Sequence, residues 1–270
     1  MRKILTILCI VSLMITSCAA EKTADVQSVA TSSITDYDSL NGAGQGWGFV
    51  RRKGAPPDIP NSQTELLKKY NGAYLSEKKE KNLYLTFDEG YENGFTAVIL
   101  DVLAKTKTPA AFFVTGPYLE GQEELIKRMI DEGHIVGNHS STHPSFPTIS
   151  REKMAKEIWT LEDYIRKNFN YESKYFRFPA GVYSENALDL VDSVGYKSVF
   201  WSIAHTDWDP ENQPGVDKSF QTVTERLHPG AVILLHTTSP DNAEILGDFI
   251  DYAREQGYEF RTLDQYKYWN

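Results

Sequence analysis

Leu83-Tyr84-Leu85-Thr86-Phe87 runs directly into Asp88, Glu89 and Gly90. Five uncharged residues bounded by Lys81 on one side and two acids on the other predict a short buried strand whose far end carries polar chemistry. Similar runs recur at Ala110 to Thr115, His134 to Val136, Lys174 to Phe178, Lys197 to Ile203, Ala231 to Leu235 and Glu259 to Thr262. Helix-period stretches separate most of them: Gly94 to Lys105, Gln122 to Glu132, Arg151 to Asn168, Glu185 to Ser193, Lys218 to His228 and Asn242 to Gln256. Such alternation implies parallel strands joined by right-handed crossovers, so the chain is expected to be an α/β barrel of about seven parallel strands. Ser184 before Glu185, and Asp241 with Glu244 three residues on, read as helix starts, whereas Ser150 followed by Lys153 lacks a capping box.

Polar residues stand just past these runs. Asp88 and Glu89 follow the first, His139 and His143 the third, and Arg177 closes the fourth; Asp207 comes after the fifth and His236 after the sixth. In a parallel barrel the C-terminal strand ends share one face, which is where active sites lie.

The chain has 270 residues, 41% apolar and 24% charged, which suits one soluble barrel domain. Its net charge is −9, and Arg51-Arg52-Lys53 is the main basic cluster, so a nucleic acid partner is excluded.

Arg2 and Lys3 precede an apolar stretch from Ile4 to Ile15, too short to span a bilayer comfortably and shaped like a secretory leader. Ile15-Thr16-Ser17-Cys18 resembles a bacterial lipobox, which makes Cys18 the expected lipidation site and mature N-terminus. Cys9 and Cys18 are the only cysteines, so the mature domain has neither disulfide nor thiolate ligand. Residues 19–45 are Ser, Thr, Ala, Asp and Gly-rich and read as a flexible linker. The Gly-rich Gly42 to Gly48 lacks the flanking strand and helix of a nucleotide loop. Trp47 and Phe49, ahead of Pro56-Pro57, mark where an N-terminal segment, 46–80, first packs on the barrel, 81–270.

His139 and His143 are four apart, which allows both imidazoles to reach one ion from a helical turn, although such a pair alone is commonly incidental. Asp88 and Glu89, at a strand end before Gly90, can turn toward the barrel mouth and supply a ligand and a base. His134 and His228 read as packing histidines. Trp201, Trp208 and Tyr183 either stack on sugar faces or fill the barrel.

Five segments taken in order resemble the polysaccharide deacetylases with a NodB-homology domain, carbohydrate esterase family 4. They are Thr86-Phe87-Asp88-Glu89-Gly90, His139 to His143, Phe176-Arg177-Phe178-Pro179-Ala180-Gly181, Asp207-Trp208 and Leu234-Leu235-His236. The resemblance implies a distorted (β/α) barrel and a metal-dependent hydrolase of amide bonds. It makes Asp88 the catalytic base, His139 and His143 metal ligands, and Glu89 a less certain third ligand, because the family has Asp there. Arg177 is implied to orient the base, the N–H of Ala180 to hold the oxyanion, Asp207 to tune His236, Trp208 to wall the pocket, and His236 to act as general acid. The implied cofactor is a divalent ion, zinc first, with manganese, cobalt or magnesium as alternatives.

Gly46 to Phe49 with Pro56-Pro57-Asp58, Glu89 to Gly94, and His236 to Ala243 resemble the branch of this family that makes muramic δ-lactam. That branch implies removal of acetyl from N-acetylmuramic acid lacking its peptide, in the spore cortex, on a peptidoglycan strand first trimmed by an N-acetylmuramoyl-L-alanine amidase. The expected location is a lipid anchor on the outer side of a bacterial membrane, in the forespore–mother cell intermembrane space. Deacetylation of N-acetylglucosamine or another glycan is the alternative activity, and a catalytically silent glycan-binding lipoprotein the alternative of a different class.

Overall fold

The structure, a computed structural model, describes residues 39–76 and 80–267. The chain divides into Met1–Ser39 and Leu40–Asn270, and every element below belongs to the second unit. The signal segment with Cys18 and most of the expected linker lie outside the described residues.

In order, the elements are β1 (Gln45–Gly46), α1 (Asn61–Lys69), β2 (Asn82–Glu89), α2 (Thr96–Thr106), β3 (Ala110–Val114), α3 (Gly116–Gly121), α4 (Glu123–Asp131), β4 (Ile135–Asn138), α5 (Arg151–Phe169), β5 (Tyr175–Phe176), β6 (Val182–Tyr183), α6 (Glu185–Ser193), β7 (Lys197–Ser198), α7 (Val216–Thr224), β8 (Val232–His236), α8 (Pro240–Glu255) and β9 (Glu259–Phe260). Seven of the strands form one sheet, ordered β7-β5-β4-β3-β2-β8, with β9 paired to the start of β2. All its pairings are parallel. The sheet curls into a half-barrel. Where β7 and β8 do not pair, the chain bridges them: Ile203 pairs with Ile233 beside β8, while Ala73 pairs with Val199 and Leu75 with Ala231.

Period-two alternation along β2 sorts its side chains between two layers. Leu83, Leu85 and Phe87 pack outward with Ile99, Leu100, Leu103 and Phe249 of the helices, and Phe87 stacks on Phe112. Tyr84 faces inward with Ala111, Phe113, Val199 and Val232. Each fully buried Leu or Phe contributes roughly 1.5–3 kcal/mol, so the two layers are strongly held to opposite faces. Gly137 in β4 permits this packing, because a Cβ there would stand 2.6 Å from the Phe113 ring.

The structure departs from the sequence expectations where local signals are short. β1 spans the boundary between the stretch read as linker and the segment after it, and pairs antiparallel with β6. Helices α1 and α3 were not expected. Ser150 does cap α5, its hydroxyl accepting from Lys153 N–H, and Ser184 caps α6 through Ala187 N–H. Ser239, rather than Asp241, caps α8, with Pro240 in the first turn, where its missing N–H costs nothing.

Candidate active site

Asp88 is the last inward-facing residue of β2, and Arg177 directly follows β5. Arg177 is wholly buried. Its guanidinium donates to Asp88 Oδ1 at 2.7 Å, to Thr86 Oγ1 at 2.8 Å and to the Val199 carbonyl at 3.0 Å, and it lies 4.1 Å from the Phe113 ring centroid. A planar fork that meets three acceptors and an aromatic face leaves this cation one orientation. Burial alone would raise the Asp88 carboxyl, but the Arg177 guanidinium, foremost among its neighbours, outweighs it and holds Asp88 below the usual carboxylate range.

His139 and His143 lie in the loop after β4, not on a helical turn as their spacing suggested. Ser140 and His143 both have left-handed backbones, with φ of 69° and 56°. The loop is fixed by bonds from Ser140 N–H to Asn138 Oδ1 and from His143 N–H to Ser140 Oγ. The two imidazoles stand edge to face with centroids 4.8 Å apart. His139 Nδ1 lies 2.8 Å from the Arg177 carbonyl, so that nitrogen carries the proton, and Nε2 is left 3.5 Å from Asp88 Oδ2. Burial pulls His139 down to about 4 and lowers His143 as well, so both rings are neutral at physiological pH.

Among the described residues, no group of three His, Cys, Asp or Glu side chains converges closely enough to hold an ion unaided. The donor chemistry still fits a partly protein-bound divalent cation. Two neutral imidazoles share the cavity with Asp88, and a backbone carbonyl fixes the tautomer of His139. Glu89 is removed from that ligand set. It is the final residue of β2, so the pleat sends its side chain to the face opposite Asp88. There its Oε2 accepts from the Thr237 hydroxyl, while Oε1 has no partner, and burial raises its carboxyl well above the ordinary value. Glu89 lies behind the site, in surroundings that disfavour its charged form.

His236 ends β8. Its Nδ1 lies 2.9 Å from Asp207 Oδ1, and its backbone N–H donates to Asp207 Oδ2 at 2.9 Å. Asn242 donates to that same Oδ2 at 2.7 Å, and His205 Nε2 lies 3.0 Å from Asn242 Oδ1. Burial lowers His236, but the Asp207 charge and hydrogen bond win, and the net effect raises it above its ordinary value. Asp207 is therefore fixed by Asn242 from α8, which no local sequence signal indicated.

One cavity of about 520 Å³ collects Asp88, His139, His143 and His236 with Ala180, Trp201 and Trp208. Ala180 is exposed there with φ of 52°, a strained value for a residue with a side chain. Beside it, Gly181 has φ of 65°, and a Cβ would stand 2.7 Å from the Trp201 ring. Trp208 is 59% exposed at the cavity wall. Tyr183 is not in the cavity: it is fully buried in β6 against Phe178 and Phe200, so it is core rather than a sugar platform. His228 bonds the Arg226 carbonyl and Ser202, and His134 accepts from Ala110 N–H; both are structural.

The sequence placed Trp47 and Phe49 where the N-terminal segment meets the barrel, but not the reach of that strap into the cavity. Trp47, Phe49 and Arg51 line the cavity. The Trp47 backbone N–H donates to the Gly181 carbonyl and its indole to the Trp201 carbonyl, both at 2.8 Å.

A parallel half-barrel whose strand ends gather a carboxylate held ionised, an imidazole whose proton affinity a paired carboxylate raises and two imidazoles whose proton affinity burial lowers, all in an aromatic cavity, defines a glycan-directed hydrolase of amide bonds. The chain belongs to the polysaccharide deacetylase family, whose model matches residues 76–199. It is 44% identical over 220 residues to the peptidoglycan-N-acetylmuramic acid deacetylase PdaA of Bacillus subtilis, covering 81% of this chain and 84% of that protein. The solved structure of Bacillus subtilis PdaA, a family 4 carbohydrate esterase, superposes with a TM-score of 0.81 at 43% identity, covering 83% of this chain and 97% of that one. A family 4 carbohydrate esterase from Bacillus anthracis matches with a TM-score of 0.72 at 43% identity, covering 84% and 98%.

Proposed function

We propose that this enzyme removes acetyl from N-acetylmuramic acid residues of peptidoglycan that have lost their peptide to an N-acetylmuramoyl-L-alanine amidase. The freed amine and the lactyl carboxyl then condense with loss of water to the muramic δ-lactam of the spore cortex. The observation that carries the reading is that Asp88, held ionised by Arg177, and His236, paired to Asp207 and with its proton affinity raised, open into one aromatic-walled cavity. The likeness to PdaA supports the choice of sugar.

Asp88, kept anionic and oriented by Arg177, takes a proton from the water that adds to the acetamide carbon. The exposed backbone at Ala180 offers an N–H to the oxygen of the tetrahedral adduct, an effect of about 3–4 kcal/mol for a well-placed donor. His236 donates its proton to the nitrogen as the C–N bond breaks, so the sugar leaves as a neutral amine and acetate remains. Asp207 holds His236 in the tautomer that presents Nε2 to the cavity. His139 and His143 are the residues that would hold a divalent cation, zinc first; when bound, it supplies Lewis-acid polarisation of the acetamide oxygen and acidifies water.

The proposed setting is the intermembrane space of the forespore, with the chain anchored by lipid at Cys18. Mass spectrometry of the mature N-terminus tests the anchor; an unmodified residue at or after Cys18 sinks it. Muropeptide mass spectrometry after incubation with amidase-treated and untreated peptidoglycan tests the activity. Acetyl loss with lactam only after amidase treatment is expected, and acetyl loss from glucosamine would replace muramic acid as the target.

A further inference from the structure

Arg51, Arg52 and Lys53 are consecutive cations on the strap, and they are used differently. Arg52 pairs with Asp58, which Val50 holds opposite through an antiparallel bridge. Lys53 pairs with Glu225 at 2.7 Å, and the Gly54 N–H donates to the Glu225 carbonyl. The Arg52–Asp58 pair closes the strap on itself, the Lys53 and Gly54 contacts with Glu225 tie it to the barrel beyond Arg51, and the Trp47 bonds to Gly181 and Trp201 tie it before. Arg51 is exposed and lines the catalytic cavity with Trp47 and Phe49. Arg51 is the one Lys or Arg side chain among the described residues lining that cavity, and His236 is already committed to Asp207.

Resting on the muramic acid reading, we propose that Arg51 is the specificity residue that binds the free lactyl carboxylate of the substrate. In muramic acid the lactyl ether sits on C3, next to the C2 acetamide. A group reading it must therefore lie within one sugar width of Asp88 and His236, on the wall of the same cavity. A guanidinium pairs a carboxylate bidentately, with both oxygens held in one plane. A peptide-bearing muramic acid has an amide there, with no charge to pair, and N-acetylglucosamine has only a hydroxyl. One arginine thus accounts for a requirement that the peptide be removed first.

The test is a cycle on the full chain. Wild type and Arg51→Gln are assayed on amidase-trimmed strands and on the same strands with the lactyl carboxyl converted to its methyl ester. Arg51→Gln is expected to raise KM on the free-acid strands by roughly ten- to a hundredfold, with kcat little changed, the range for one charge-assisted pair. Esterification is expected to cost the wild type a similar factor, and the two losses should not add. Arg51→Lys should recover part of the loss, whereas Arg52→Gln, which breaks only the Asp58 pair, should show no such coupling. Additive losses, or a loss carried by kcat, would overturn the role of Arg51 while leaving the muramic acid reading intact. A wild type that ignores free-acid strands but deacetylates glucosamine would overturn both.

Discussion

His236 and Asp207 are joined twice, through the imidazole Nδ1 and through the backbone N–H of the same histidine, one to each carboxylate oxygen and each at 2.9 Å. The double bond of contact fixes the ring and raises its affinity for a proton. Asp207→Asn removes the charge that raises His236, so the protonated form is lost at lower pH. The alkaline limb of the kcat/KM profile should move to lower pH, and activity at pH 7 should fall by about a hundredfold or more. An unmoved limb would mean that His236 is not the titrating acid.

Glu89 sits on the face of β2 opposite Asp88, bonded to Thr237, where burial raises its carboxyl. Glu89→Gln should therefore leave metal stoichiometry by inductively coupled plasma analysis unchanged, whereas His139→Ala should abolish it. Loss of metal in Glu89→Gln would return this residue to the ligand set.

Arg177 meets Asp88, Thr86 and the Val199 carbonyl at once, a pattern that an ammonium group cannot reproduce. Arg177→Lys keeps the charge but strands buried acceptors. Denaturant titration should show a loss of about 2–4 kcal/mol, with turnover reduced through a displaced Asp88.

Away from the site, Glu162 is buried, with one carboxylate oxygen accepting from Tyr196 at 2.6 Å and the other unpartnered. Burial, partly offset by Tyr196, raises it from 4.5 to about 7. The folded state therefore holds this proton more tightly than the unfolded chain. Its stability contribution is complete below pH 4.5 and is lost as pH rises to about 7. Glu162→Gln should flatten that window and stabilise the protein at pH 8 by on the order of 2–3 kcal/mol, measured by urea melts at pH 5 and pH 8.

What the sequence made legible follows from how locally each feature is encoded. The strand cores and Asp88, Arg177 and His236 at or just past strand ends could be read because apolar runs and their polar boundaries are contiguous. The side of the sheet taken by Glu89 was not legible, since it depends on β2 continuing one residue beyond Asp88 rather than turning at it. Tyr183 lies in a two-residue strand paired with the equally short β1, so nothing nearby marked it as core. The Asn242 support of Asp207 joins residues 35 apart in sequence. That the segment begun by Trp47 packs on the barrel was legible, but its place over the cavity was not, because it rests on Trp47 bonding residues more than a hundred positions away. Ser239 as the cap of α8 did carry a signal, Ser followed by Pro, which the acidic pair after it obscured.

The most direct test of the account is acetate release from amidase-trimmed peptidoglycan strands by wild type and His236→Ala side by side, with the deacetylated sugar identified by mass spectrometry. Release by the wild type from muramic acid, reduced by roughly a hundred- to ten-thousandfold in a folded His236→Ala, is the predicted result. Release from glucosamine alone, or an undiminished rate in His236→Ala, would contradict it.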